Sequence, residues 1–134
     1  MKTLLLFGAI ALSVNVFAQN INIPDVNFKT YLVEDLAINI NGDDEIQLSE
    51  AVAFTGLIDC VNLLISDLTG IEEFTGLTEL RCGNNLLTNL DVTQNTALFS
   101  LDCWNNQLTS LDVTQNTALT YLSIRENQLT SLDV

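Results

Sequence analysis

Apolar residues in the second half of the chain return at a fixed phase. Leu98, Leu101, Cys103, Leu108 and Leu111, with Asn106 among them, follow the pattern L-x-x-L-x-(L/C)-x-x-N-x-L-x-x-L. Leu119, Leu122, Ile124, Asn127, Leu129 and Leu132 repeat it 21 residues later; Leu77, Leu80, Cys82, Asn85, Leu87 and Leu90 precede it. A weaker first copy runs through Ile58, Cys60, Leu63, Ile65 and Leu68, one step of 22 residues upstream, with Leu63 where the others have Asn. A second motif interleaves with the first. Leu90-Asp91-Val92-Thr93-Gln94-Asn95-Thr96-Ala97-Leu98 returns from Leu111 to Leu119, and Leu132-Asp133-Val134 opens it again. A constant period of this length marks a stacked repeat. Each copy predicts a short strand with two inward apolar residues, such as Leu101 and Cys103, while Ser100, Asp102 and Trp104 face the other way. One copy cannot bury its apolar side alone, so about four of them stack into a parallel ladder over residues 57–134. Asn85, Asn106 and Asn127 leave their strands at the turn, where they are placed to bond the backbone of the adjacent coil as a buried ladder.

The residues ahead of the repeats read differently. Pro24 and Asp25 suit a helix start. Phe28, Tyr31, Leu32 and Leu36 then form an apolar stripe at helical spacing, and a second short helix is predicted from Ser49. Residues 19–56 are therefore expected to cap the first coil, which would otherwise expose the core. Between the two helices, Asn39, Asn41, Asp43, Glu45 and Glu50 stand at positions one, three, five, seven and twelve of an EF-hand-like loop. Their carboxylate and amide oxygens, with the Glu45 carbonyl, suit a hard cation, and calcium is the one cofactor this points to. The pattern departs from an EF-hand at Asn39, where Asp is usual, and at Asp44, which stands where a left-handed glycine belongs. The alternative is a solvated acidic turn.

These repeats resemble the 21–22-residue leucine-rich repeats of internalin-like bacterial surface proteins. They are closer still to secreted bacterial repeat proteins that recycle L-D-V-(S/T)-x-N-T-A-L between rungs. The resemblance covers roughly residues 23–134. It implies an α/β solenoid: a leucine-rich-repeat coil with short parallel β-strands on its concave face and a helical N-terminal cap. It also implies a curved surface used for adhesion or protein recognition.

The register settles how to read the cysteines. Cys60, Cys82 and Cys103 occupy one inward position on successive rungs, and Ile124 takes that position on the fourth. They read as small buried apolar residues. Stacked Cα atoms about 4.8 Å apart would permit a bridge, but parallel side-chain vectors give it poor geometry.

Met1-Lys2, the apolar run Leu4–Leu12 and Val16-Phe17-Ala18 have the form of a removed secretory signal, residues 1–18. The run is short for a membrane span. A secreted or cell-surface location follows, with no membrane insertion once the signal is gone. Removal of Lys2 leaves 17 acidic residues against Lys29, Arg81 and Arg125, a mature net charge of −14. Phosphate backbones are repelled by such a chain, so nucleic acid is excluded as a partner. With no histidine, serine–histidine, cysteine–histidine and imidazole–metal chemistry are excluded as well.

Written by column across the four rungs, the outward strand residues are Leu57, Glu79, Ser100, Tyr121; then Asp59, Arg81, Asp102, Ser123; then Val61, Gly83, Trp104, Arg125. Arg81 is expected between Asp59 and Asp102. Trp104 is expected on the exposed face, beside Arg125 in a cation–π stack and near Tyr121. Trp, Tyr and Arg are the residues enriched at interface hot spots. The candidate ligand surface is therefore Trp104, Tyr121, Arg125, Arg81, Asp59 and Asp102, facing a protein or glycan without catalysis. Two alternatives stand beside this reading: a carboxylate-based glycan hydrolase using Asp59, Glu79 or Asp102, and the capped start of a structural surface stalk. The opening of another rung at Leu132 predicts that the repeats are C-terminally incomplete, leaving an open strand edge.

Overall fold

The computed structural model describes residues 19–134. The signal-like residues 1–18 lie outside the described residues. Asp25 opens helix α1 (Val26–Glu34): its Oδ1 accepts from the Asn27 and Phe28 amides at 2.9 and 3.1 Å. Phe28 and Leu32 are fully buried, and Tyr31 packs on the same core. Leu36 does not join this stripe. The helix ends at Glu34, and Leu36 is 73% exposed. Asp35 accepts from the Ala37 amide and its carbonyl from the amides of Ile38 and Asn39, so the chain turns before a further helical residue can face inward. Helix α2 (Leu48–Ala53) begins one residue ahead of Ser49, because Glu50 Oε2 accepts from the Gln47 amide at 2.9 Å and fixes the first turn there.

Beyond Phe54 the chain coils. Strands β1 (Gly56–Asp59), β2 (Leu77–Arg81), β3 (Ser100–Asp102) and β5 (Tyr121–Ser123) form a four-stranded parallel sheet in the order β1-β2-β3-β5. Leu57 aligns with Glu79, Ser100 and Tyr121, and Asp59 with Arg81, Asp102 and Ser123. Backbone bonds continue that register past the strands. Asn62 N donates to Gly83 O, Asn84 N to Trp104 O and Asn105 N to Arg125 O. Inside the coil, Ile58, Leu80 and Leu101 form one buried column and Cys60, Cys82 and Cys103 the next, all fully buried. The thiols are free. On the fourth rung Leu122, Ile124 and Leu129 are only half-buried.

The opposite side of the coil carries a second, two-stranded parallel sheet, β4 (Ser110–Asp112) with β6 (Ser131–Asp133). The leucine–aspartate–valine motif builds it. Leu111 and Val113 point inward, while Asp112 accepts from the Thr114 amide at 2.9 Å and the Thr114 hydroxyl at 2.7 Å, closing the turn that follows. Asp91 and Thr93 make the same turn one rung earlier. Around this turn each rung then bends back toward the first sheet.

Three asparagine ladders run along the coil. The predicted one is present. Asn85 Oδ1 accepts from Leu63 N and Ile65 N, and its amide donates to the Cys60 and Cys82 carbonyls. Asn106 and Asn127 repeat the arrangement on the next rungs. The second comes from the repeated Thr-Gln-Asn. Asn95 is fully buried and donates to the Ile71 and Phe74 carbonyls; Asn116 does the same to those of Val92 and Asn95. The third lies at the surface. Asn84 donates to Asn62 Oδ1 at 2.7 Å and Asn105 to Asn84 Oδ1 at 2.6 Å, all three with positive φ. Asn is among the few side chains that tolerate this conformation.

The cap is tied to the first rung at three points, one of them the bond that Asn27 Nδ2 donates to the Leu64 carbonyl at 3.3 Å. Asp25 Oδ2 accepts from the Ser66 amide and hydroxyl at 2.8 and 2.9 Å. The Tyr31 hydroxyl oxygen accepts from the Asp59 amide at 2.9 Å. That bond occupies a donor on the edge strand β1 and leaves the edge less open to another chain.

Candidate functional site

The strand register brings the six predicted surface residues onto one face, the outer side of the four-stranded sheet. Within it they fall into two groups. On the first two rungs Arg81 Nη1 lies 3.5 Å from Asp59 Oδ2 and Nη2 lies 3.7 Å from Glu79 Oε2. The expected bridge to Asp102 is not made. Glu79 is two residues back on the same strand and face, and together with Asp59 it draws the guanidinium away from the next rung. These pairs are solvent-exposed and contribute little to stability. Asp102 stays half-buried, with Oδ1 enclosed and without a hydrogen-bond donor.

The second group lies on rungs three and four. The Arg125 guanidinium carbon sits 5.5 Å from the centroid of the Trp104 ring, the predicted cation–π pair. Trp104 is less exposed than its column position suggests, because the indole is seated against Gly83 on the rung below. A Cβ added at Gly83 would collide with Trp104 Nε1 and Cδ1. The glycine thus leaves the space that the indole fills. Tyr121, 53% exposed, stands on the same two rungs. A cavity of about 510 Å³ lies beside Tyr121, lined by Val113, Leu119, Leu122 and Val134, and another of about 460 Å³ runs past Asp67, Glu72 and Asp91.

In the cap loop the predicted ligands converge, but on one another. Asn41 Nδ2 donates to Asp43 Oδ2 at 2.9 Å and to Gln47 Oε1 at 2.6 Å. Gln47 Nε2 spans both Asp43 oxygens at 3.2 and 3.1 Å. Asn39, buried, donates to the Val33 and Asp43 carbonyls. Glu50 Oε1 accepts from the Asn41 amide. The Glu45 carboxylate pairs with Lys29 Nζ at 2.6 Å, which leaves its carbonyl as the donor a cation would use. The left-handed residue of this loop is Gly42, with φ 71°, and not Asp44. The turn therefore falls two positions earlier than in an EF-hand.

The thiols are built for inertness. Burial pushes Cys60 and Cys103 up to about 12 and holds Cys82 well above the ordinary thiol range. A thiol that resists ionisation is a poor nucleophile and a poor metal ligand. The residues that sequence reasoning missed are Asn95 and Asn116, the surface asparagines, and Gly83. Their signals were the constant Asn within Thr-Gln-Asn, the Asn-Asn pairs at 84–85 and 105–106, and the glycine one rung below the tryptophan.

No protein-family model matches the chain. Internalin J of Listeria monocytogenes serotype 4b (strain F2365) is 46% identical over 73 residues, which cover 54% of this chain and 8% of that protein. The solved functional domain of InlJ from Listeria monocytogenes, described as including a cysteine ladder, is 45% identical with a TM-score of 0.74. It matches 87% of this chain and 26% of its own. The internalin InlF from Listeria monocytogenes strain 4b F2365 has a TM-score of 0.68 at 18% identity, over 91% of this chain and 40% of its own; that likeness shows the fold alone. The chain thus spans only a small part of the relatives it matches. By fold and by repeat sequence, residues 19–134 form an internalin-like leucine-rich-repeat solenoid.

Proposed function

We propose that this solenoid is a non-catalytic binding module of an exported protein, and that it recognises a protein partner through the outer face of its four-stranded sheet. The observation that carries this is the presence of Trp104, Tyr121 and Arg125 on two adjacent rungs of one face, with Arg125 against the Trp104 ring. Tryptophan, tyrosine and arginine are the residues enriched at interface hot spots. Likeness to internalins supports a recognition role. The signal-like start of the chain supports export, and among the described residues no helix is long and apolar enough to cross a membrane. Asp59 and Glu79 are engaged by Arg81 on an open surface, so nothing there favours the hydrolytic alternative.

The test is to screen the purified chain against arrayed extracellular proteins and glycans, alongside Tyr121→Ala and Gln115→Ala. Partners captured by the wild type and by Gln115→Ala, on the opposite side, but lost with Tyr121→Ala are expected. A partner retained equally by all three overturns the assignment of this face.

The calcium reading of the cap loop also remains a proposal. It rests on the donor set of Asn39, Asn41, Asp43 and Glu50 with the Glu45 carbonyl. Loading requires the Gln47 amide to leave the Asp43 carboxylate.

A further inference from the structure

We infer that Arg125 is the anchor of the binding face, and that the partner meets it with a carboxylate carried by a protein chain. This rests on the face assigned above. The mature chain has three cations, and two of them are spent. Lys29 is paired with Glu45, and Arg81 with Asp59 and Glu79. Among the described residues, no carboxylate comes within 4.0 Å of the Arg125 guanidinium, the adjacent Glu126 included, and the guanidinium makes no hydrogen bond to the protein. Against the 17 acidic residues of 19–134, an exposed arginine without a partner stands out electrostatically.

Arg125 is also held in place. Its guanidinium lies over Trp104, and Trp104 is seated in the gap left by Gly83. Trp104 is therefore a positioning residue, clasped between neighbouring rungs. With no hydrogen bond or ion pair made to the described residues, the Arg125 N–H groups are free, and that planar fork matches a carboxylate with two parallel bonds. Because the stack orders the side chain beforehand, less entropy is lost when the ligand arrives.

The same packing favours a protein over a sugar. A sugar-binding tryptophan offers an open ring face. Here the indole has Gly83 on one side and Arg125 on the other. Tyr121 remains the accessible aromatic; the cavity of about 510 Å³ that it borders is lined by Leu119, Leu122 and Val134 and includes neither Trp104 nor Arg125. A single carboxylate flanked by apolar side chains fits this arrangement, since the chain's own negative charge repels a run of acidic residues.

The test is selection from a random peptide library on the full mature protein. Selected peptides are expected to be enriched in one Asp or Glu at a shared position among neutral residues. Arg125→Gln should weaken a synthetic selected peptide about tenfold or more, the loss of one charge-assisted pair. Arg125→Lys, which keeps the charge and loses the fork, should recover only part of it. Replacing the peptide's key Glu by Gln should weaken binding to the wild type and change nothing further on Arg125→Gln. Absence of acidic enrichment, absence of any selected peptide, or additive losses would each overturn the proposal. Peptides lost with Tyr121→Ala but indifferent to Arg125→Gln leave the face assignment standing and remove the carboxylate; peptides indifferent to both remove both. Polygalacturonate binding that depends on Arg125, with no peptide selected, makes the partner class wrong.

Discussion

Replacing Asn106 by alanine tests the internal architecture most sharply, because its bonds can be counted one by one. Asn106 Oδ1 accepts from Leu87 N at 3.0 Å, and its amide donates to the Cys82 and Cys103 carbonyls at 3.1 Å and, at 3.3 Å, to the part-buried Trp104 carbonyl. After truncation the Cys82 carbonyl keeps Asn85 and the Cys103 carbonyl keeps Asn127. Leu87 N–H is left stranded in a fully buried stretch. A stranded buried donor costs about 1–3 kcal/mol and each of the two weakened acceptors about 0.5–1.5 kcal/mol, which together give about 4 kcal/mol. The described chain should have a total stability of roughly 6–17 kcal/mol, so this is a large fraction. At about 4 °C per kcal/mol for this size, Tm should fall by about 16 °C. Asn85→Ala should cost more, since it strands both Leu63 N and Ile65 N. Asn127→Ala should cost least, since water reaches the half-buried fourth rung. Thermal and urea unfolding followed by circular dichroism gives the three values. The order Asn85, Asn106, Asn127 is the claim; equal losses, or a loss at Asn106 below that at Asn127, would refute the ladder as a stabilising device.

Other perturbations read other parts of the coil. Burial raises all three thiols in the folded state, so above pH ~9 the unfolded chain loses thiol protons that the folded chain keeps; stability should fall by about 1.4 kcal/mol per pH unit per thiol as pH rises toward 12. Cys103→Ala should remove one thiol's share of that slope, and an unchanged slope in urea melts would contradict its burial. Gly83→Ala should drive the single tryptophan off its seat, red-shift its emission and cost about 1–3 kcal/mol; unchanged emission would mean that the seat is not used. If the cap loop takes calcium with a Kd of about 1 mM, then about 10 mM calcium should add ~1.4 kcal/mol, or about 6 °C in Tm, over chelator, and an identical midpoint removes the site.

The inward columns are legible in the sequence because a period of 21 residues leaves no freedom: once Leu101 faces in, Leu80 and Leu122 must follow. The same logic places Asn106, the stacked thiols and the Trp104–Arg125 pair. What escapes it depends on interactions within a rung, which periodicity does not constrain. Arg81 takes Glu79 on its own strand over Asp102 on the next. Leu36 drops out of its stripe because the Asp35 carboxylate and carbonyl redirect the chain. Gly42, not Asp44, absorbs the left-handed turn of the cap loop. The sheet formed by β4 and β6 was within reach, since Leu111 and Val113 alternate with Ser110 and Asp112, but a motif of three residues is short for reading a strand. The depth of Trp104 cannot be read from its column alone, because it depends on the absence of a side chain at Gly83.

Hydrogen–deuterium exchange on the protein with and without its strongest captured partner tests the central claim, that recognition uses the outer face of the four-stranded sheet. Protection confined to residues 57–61, 79–83, 100–104 and 121–125, greatest on the last two segments, is the predicted result. Protection centred on 91–97 and 112–118, with the strands of that face unchanged, would contradict it.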